Sequence, residues 1–381
     1  MRLAVLCYPT YGGSGVVASE LAIGLADRGH EVHVIAHDRP FRIDRWLPNL
    51  VGHTVNVGSY PLFKHAPYDL NLINKIVDVV MEHELELIHS HYAIPHAYAA
   101  WTAAEVLAHV HGRRVPLACT LHGTDISLVG KDPGFHHLTR FAIDKQQLLT
   151  APSAWLARET AEHFGVDASR VSVIPNFVDL ERFRPCAQPP CTGLAPSGYK
   201  VISHISNFRP VKRVTELVRA FAALRARLSA VLVLVGDGPD LPKAEAEARR
   251  LGVREDLRVL GRMDNVEMVL QRSDLFVLPS RSESFGLAAL EALACGCPVL
   301  GYRTGGLPEV VEHGVSGLLG EEGCDACLGS MGADLLLDEQ RHRAMCLAAR
   351  DRAGQFATGP IIDRYEAGLS GLLAGVSASG G

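Results

Sequence analysis

The sequence predicts an α/β chain of two Rossmann-like, doubly wound parallel-sheet domains, and three observations predict it. Short apolar runs of strand length alternate with segments of 3.6-residue apolar period, the order that gives parallel sheets flanked by helices. The first strand turns into the first helix through Tyr11-Gly12-Gly13-Ser14-Gly15, as a Rossmann βαβ unit does. The pattern then collapses where Pro185, Pro189, Pro190, Gly193, Pro196 and Gly198 crowd together, and afterwards the alternation starts again. At 381 residues the chain exceeds one ordinary core, which agrees with two domains. The expected division is an N-terminal domain over residues 1–184, a linker over 185–198 and a C-terminal domain over 199–355. Residues 356–381 are expected as a helix packing back across the junction, with a loose tail from Ser377.

Each element follows from local pattern. Residues 3–7 are apolar, too short a stretch for a signal peptide, and read as the first strand. Ala18, Leu21, Ala22 and Leu25 share one face of a helix over 16–28, and 31–36 is a second strand. Residues 40–68 are aromatic, Pro-rich and aperiodic, an excursion at the domain edge. A helix over 70–84 and a strand over 85–89 lead into His89-Ser90-His91-Tyr92-Ala93-Ile94-Pro95-His96. Three histidines in eight residues raise a metal reading, but no carboxylate or cysteine neighbour completes a set, so His91 and Tyr92 read as lining a strand end. The strand over 116–120 runs into Leu121-His122-Gly123-Thr124-Asp125, polar groups placed where open α/β sheets bind ligands. A capped turn begun by Asp125 accounts for the same residues. A strand over 147–151, a helix capped by Ser153 and a strand over 171–175 complete the first half. In the second half, strands over 199–206, 231–236, 257–261, 275–279 and 299–302 alternate with helices that include 213–228 and 241–251. Beyond Gly320 the signal is helical, ending in an amphipathic segment over 361–373.

Composition excludes several classes. Apolar residues make up 48% and charged residues 21%, which is globular rather than disordered. A net charge of -5 gives no general reason to bind nucleic acid or an anionic membrane, and no apolar run approaches the length of a membrane helix. Nine scattered cysteines fit a reducing cytoplasm better than a disulfide framework. Cys324-Asp-Ala-Cys327 lacks a second pair and Cys295-Gly-Cys297 is too close for a zinc half-site, so no metal is expected. Oligomeric state is left open, a homo-oligomer included.

The most informative stretch is 279–298. A strand ends at Pro279, Ser282 and Ser284 are N-cap candidates, Leu287, Leu290 and Leu293 recur at helical spacing, and Gly296 and Pro298 stop the helix. Glu283 and Glu291 frame it eight residues apart. Along a helix that is roughly 12 Å, the span from ribose to hexose in a nucleotide-sugar diphosphate. Between them the free N–H groups near Ser284, Phe285, Gly286 and Leu287 favour a phosphate. The bland reading, a solvated charged pair, fits poorly for Glu291, which sits among Ala288, Leu290, Ala292 and Leu293.

This Glu-x7-Glu run, within Pro-Ser-x-x-Glu-Ser-Phe-Gly, resembles the signature of the large retaining glycosyltransferase family with the GT-B fold, two Rossmann domains facing each other across a cleft. The resemblance implies that Glu283 lies by the donor sugar and Glu291 holds the ribose hydroxyls. It places Arg262 and Met263 at the nucleobase, and leaves Val235-Gly236-Asp237-Gly238-Pro239 as a supporting turn. Gly13 and Ser14 would face the donor from the first domain. Lys212 and Arg209, which follow a strand, are placed to neutralise charge on a departing diphosphate; their bland reading is solvated surface. No carboxylate pair suits glycosidase-type double displacement. The resemblance implies instead front-face transfer with retention and without metal, the leaving oxygen accepting the acceptor's proton.

Four further motifs narrow the acceptor. Cys-Tyr-Pro-x-x-Gly-Gly-Ser-Gly at 7–15, His-Tyr-Ala-Ile-Pro-His-Ala at 91–97, Thr-Leu-His-Gly-Thr-Asp at 120–125 and His-Ile-Ser-Asn-Phe-Arg-Pro-Val-Lys-Arg at 204–213 are similar to the branch that joins N-acetylglucosamine to malate, opening bacillithiol synthesis. That branch implies UDP-N-acetylglucosamine and L-malate as substrates, with no cofactor. Where many relatives carry Arg five residues before the Lys, this chain has Asn207, with Arg209 two places on. Ser14, Tyr92, Thr120, Asn207 and Arg209 are the expected partners of the acceptor, and His122 contacts the donor sugar or reacting centre. Three other readings remain open here. One is a family member with a lipid or sugar acceptor, another an NAD-dependent oxidoreductase using Gly13, Gly15, Ala18 and Asp38, and the third a non-catalytic nucleotide-sugar-binding module.

Overall fold

A computed structural model describes residues 1–9, 12–39, 43, 46–57, 67–187 and 192–379, and divides the chain into two units. The first comprises Met1–Asn176 and Gly359–Gly381, the second Phe177–Thr358. Residues 177–184, expected in the first domain, belong to the second unit, so the chain passes between units before the Pro-rich stretch. Residues 188–191 of that stretch lie outside the described residues, as do Thr10 and Tyr11 of the glycine-rich turn. Among the described residues no helix is long and apolar enough to cross a membrane.

The first unit holds one parallel sheet. Its strands are β1 (Arg2–Leu6), β2 (Glu31–Ala36), β3 (Leu50–Thr54), β4 (Leu87–His91), β5 (Leu117–Thr120), β6 (Leu148–Ala151) and β7 (Val171–Val173), in the order β3-β2-β1-β4-β5-β6-β7. Leu3 pairs with Val32 on one side and Leu87 on the other. Leu3 to Leu6 are wholly buried, as a strand covered by helices on both faces must be, which is why the run is continuously apolar. The helix Gly13–Asp27 starts three residues earlier than expected, from Gly12 with no side-chain cap. Ser153 does cap its helix, its Oγ accepting from the Leu156 N–H at 3.0 Å. β3 was not expected; it lies in the aperiodic excursion.

The helix Thr358–Ser379 also belongs, from Gly359 onward, to the first unit. Ile361, Ile362, Tyr365 and Leu369 are buried at helical spacing. Arg28 donates to Asp363 at 2.5 Å, and His30 Nε2 lies 2.7 Å from Glu366. The tail expected as loose from Ser377 continues this helix to Ser379, and Gly380 and Gly381 lie outside the described residues.

The second unit repeats the plan with β8 (Lys200–Ile205), β9 (Ala230–Val235), β10 (Leu257–Gly261), β11 (Leu275–Leu278), β12 (Val299–Tyr302) and β13 (Gly317–Gly320), ordered β10-β9-β8-β11-β12-β13. β13 was missed in a glycine-flanked stretch. In each sheet the order reverses beside the first strand, between β1 and β4 and between β8 and β11. Loops leaving those strands diverge there and open a crevice at the carboxyl edge. Against the expectation of free thiols, Cys324 and Cys327 are joined in a disulfide at the start of the helix Asp325–Leu337.

Candidate functional site

In the second unit the loops after β8 and β11 meet at the point of reversal. Lys212 Nζ donates to Glu283 Oε1 at 2.5 Å, and Ser280 Oγ donates to the same oxygen at 2.7 Å. Glu283 is 8% exposed and Lys212 half-buried, so this ion pair sits at a boundary where a charge is costly unless compensated. The main chains are stitched as well: Arg281 N–H donates to Val211 C=O, and Gly306 N–H to Glu283 C=O. Asn207 and Arg209 are exposed on the same loop. Arg213, next in sequence to Lys212, instead pairs with Glu322 at 2.6 Å.

A buried histidine fixes this loop. His204, at 0% exposure in β8, donates from Nδ1 to Val277 C=O at 2.8 Å, so its Nε2 accepts from Ser206 Oγ at 2.8 Å. Ser206 Oγ accepts in turn from Phe208 N–H. Burial, and secondarily the charge of Lys212, push His204 down to about 4, so it is neutral and the tautomer is set. Phe208 takes φ 38° and Arg213 φ 52°, left-handed conformations that bracket the segment carrying Arg209 and Lys212. The glycine turn after β9 packs under it. A Cβ on Gly238 would stand 2.0 Å from Asn207 O and one on Gly236 1.9 Å from Ser206 O, so both positions need glycine for close backbone approach.

The helix after β11 is shorter than expected. It runs Leu287–Ala294 from Gly286, which has φ 96° and no side-chain cap, so Ser282 and Ser284 do not cap it. The first unbonded helical amides are therefore those of Leu287, Ala288 and Ala289. The 12 Å helical rise does not apply across residues 283–286, which are not helical. Glu291 is 5% exposed, Phe285 is buried in the core, and Ser284 is half-buried. Arg262 and Met263 follow β10 at the same carboxyl edge; Arg262 lies 3.5 Å from Asp237 and Met263 packs on the core.

In the first unit the corresponding edge is rich in imidazoles. Tyr92, at φ 88°, ends β4 and stacks on His122 at 5.4 Å; Tyr8 meets Tyr92 edge-on and His96 at 4.5 Å. His91 Nδ1 lies 2.9 Å from His122 Nε2. Asp125 anchors both loops by accepting from the amides of Gly123, His122 and Ala93. Burial holds its carboxyl above the usual range, while it pushes His122 down to about 3 and His96 to about 4. The Nε2 atoms of His91 and His96 are buried without a hydrogen-bond partner among the described residues. Gly13 is exposed and Ser14 half-buried at the start of the first helix. Thr120 corrects the sequence reading: its side chain lies inside the sheet at 0% exposure, 2.8 Å from both His89 Nε2 and Thr150 Oγ1, and is not presented to a ligand.

Among the described residues, His89 and His91 of β4 and His96 beyond it are not grouped to hold an ion. Among the described residues the one group of side chains spaced for an ion is His33, His53 and His83, on another part of the first sheet. The sequence reading also passed over His204, Ser206 and Ser280, which hold the loop and carboxylate in place. Their alternation with apolar strand residues was visible, but not their partners in distant strands.

Comparison with known proteins agrees with this architecture. The family model for Glycosyltransferase Family 4 matches residues 11–182, and that for Glycosyl transferases group 1 matches 193–352. The chain is 40% identical over 369 residues to the N-acetyl-alpha-D-glucosaminyl L-malate synthase of Bacillus anthracis, covering 96% of each. It is 31% identical over 409 residues to the D-inositol 3-phosphate glycosyltransferase of Nocardia farcinica, covering 96% of this chain and 88% of that one. Among solved structures, Anabaena Alr3699/HepE in complex with UDP and glucose superposes with a TM-score of 0.81 at 23% identity, covering 97% of this chain and 99% of that one. Two Rossmann-like parallel sheets, each matched by its own family model, and a relative alike from end to end lead to one assignment: the chain belongs to the group 1 and Family 4 glycosyltransferases of the GT-B fold.

Proposed function

We propose that this glycosyltransferase moves N-acetylglucosamine from UDP-N-acetylglucosamine to the hydroxyl of L-malate, with retention of configuration, as the first step of bacillithiol synthesis in the cytoplasm. The observation that carries the reading is the 40% identity over 96% of the chain to a synthase whose name states an α-linked N-acetylglucosaminyl malate. An α product from a donor α-linked to its diphosphate is retention.

In this reading the donor diphosphate sits at the amides of Leu287, Ala288 and Ala289, with Glu291 toward the ribose and Glu283 toward the sugar. The malate oxygen bonds to C1 as the bond from C1 to the diphosphate oxygen breaks. The released electron pair stays on that oxygen, which takes the hydroxyl proton. Lys212 and Arg209 stabilise the developing charge, so the transfer requires neither metal nor cofactor. Lys212 is held by Glu283, and the donor competes for that cation as charge builds. Asn207, Tyr92, Ser14 and Arg209 are assigned to malate and His122 to the sugar or reacting centre; Thr120 supports them from inside the sheet.

The test is mass spectrometry of products from UDP-N-acetylglucosamine against L-malate, D-malate, lactate and D-inositol 3-phosphate. L-malate should give one N-acetylglucosaminyl adduct per UDP released, with an α-anomeric coupling by NMR. Inert malate beside reactive inositol phosphate would move the chain to the acceptor class of its relatives at 31% identity. A lipid or oligosaccharide as sole acceptor would likewise overturn the malate reading.

A further inference from the structure

Away from the carboxyl edge, three histidines distant in sequence converge. His33 lies in β2, His53 in the edge strand β3, and His83 directly follows the helix Tyr68–Glu82. β2 and β3 are parallel with Ile35 opposite His53, so His33 and His53 point to the same sheet face two residues apart in register. One ligating nitrogen from each of the three lies within 4.8 Å of the others. The rings pack together, with centroids 4.2 Å apart for His33 and His83 and 5.1 Å for His33 and His53.

The proton on His33 is placed for coordination. His33 Nε2 lies 3.0 Å from Glu31 Oε1, so that nitrogen donates to the carboxylate. Its Nδ1 lone pair is then turned inward and accepts from His53 Nε2 at 2.8 Å, a proton that an entering ion displaces. A carboxylate fixing one nitrogen so that the other is free to bind is the usual support of a metal-binding histidine. The carbonyl end of the helix before His83 and the Glu82 carboxylate, 4.0 Å from His83 Nε2, favour a cation. A hydrogen bond between His33 and His53 accounts for two of the rings. It does not account for the third nitrogen within the same span.

We propose that His33, His53 and His83 form a site for a divalent transition metal of the imidazole-binding class, zinc foremost, with Glu31 orienting His33. Ligand bonds of about 2.0–2.1 Å in a tetrahedron need nitrogens about 3.3 Å apart. The present 2.8 Å contact opens slightly and the wider spacings contract. Water takes the fourth corner. The ion ties β2, the edge strand β3 and the end of a helix into one staple, separate from the transfer chemistry.

The test titrates metal-stripped, full-length protein with Co2+, read by visible absorption, and with Zn2+, read by calorimetry. One equivalent should bind, with a nitrogen-ligated tetrahedral cobalt spectrum that zinc displaces and a rise in thermal midpoint. His53 and His83 are only half-buried, so His53→Ala and His83→Ala should fold by circular dichroism, and each should weaken zinc at least tenfold. Glu31→Gln should weaken it by about 10-fold. His137→Ala, at an exposed position, should bind as the parent does. No saturable binding at one equivalent, or parental affinity in both histidine variants, overturns the proposal. So does a sulfur-to-cobalt charge-transfer band, which would place the ion on free cysteines such as Cys186 or Cys346.

Discussion

Lys212 and Glu283 carry the sharpest prediction at the scale of single residues. If Lys212 acts on charge that appears only as the diphosphate leaves, Lys212→Ala should lower kcat by about 10²–10³-fold while UDP affinity, read by calorimetry, changes little. Equal losses in both would confine it to ground-state binding. The substitution also leaves Glu283 buried beside Ser280 with its cation gone, so the thermal midpoint should fall. Adding Glu283→Gln removes that stranded charge and should restore much of the midpoint without restoring kcat. Recovery of kcat in the double variant would mean that the single loss came from misfolding of the loop. At this scale the sequence was most readable for position: it put Lys212, Glu283, His122 and Tyr92 at carboxyl edges, and there they lie. Thr120 misled because a place at a strand end does not tell whether the hydroxyl is free, and here His89 of β4 and Thr150 of β6 take it up.

Loops and turns, one level up, behave as packed elements. The turn after β9 supports the loop that bears Lys212 through bare backbone, so Gly238→Ala should act at a distance. Its Cβ would stand 2.0 Å from Asn207 O, and the loop must move. The expected cost is about 1–3 kcal/mol of stability, together with at least a tenfold loss of kcat/KM. Gly252→Ala is the control. It has φ +73° but nothing within 4 Å, so denaturant unfolding should show a loss of stability with kcat/KM unchanged. Parental activity in Gly238→Ala would show that the turn does not position the loop. The same distinction explains what the sequence revealed of the elements. Buried parallel strands announced themselves as continuous apolar runs. β3 did not, because Leu50-Val-Gly-His-Thr is an edge strand with no wholly buried residue. The helix at Leu287 was placed too early because serine caps are a local signal. Its true start is set by Gly286 in the left-handed region and by Gly306 donating to Glu283 C=O, a pairing between the loops that leave β12 and β11.

Over the whole molecule, the imidazoles that full or partial burial lowers, in both units, determine how stability responds to acid. His89, His96, His204 and His53 are lowered to about 4 and His122 to about 3, each chiefly by burial, and His91 lies well below its ordinary value. In the unfolded chain these rings return to an ordinary value near 6.5. Between pH 6.5 and 4 the unfolded state therefore binds protons that the folded state refuses. Stability rises with pH across that window and is lost as pH falls from 6.5 toward 4. Asp125 acts in the opposite sense: its raised folded value favours the folded state in acid, and that contribution disappears as pH rises through the folded value. One carboxyl does not offset six imidazoles. The thermal midpoint should thus vary little between pH 7 and 8 and drop steeply below 6. Calorimetric unfolding at pH 5.5, in two buffers of different ionisation heat and with a chelator present, should show uptake of about three to five protons. Uptake near zero would mean that the imidazoles are hydrated or already charged in the folded chain. The hydrogen bond that sets His204 beside Ser206, and with it the register of the Lys212 loop, would then need another cause.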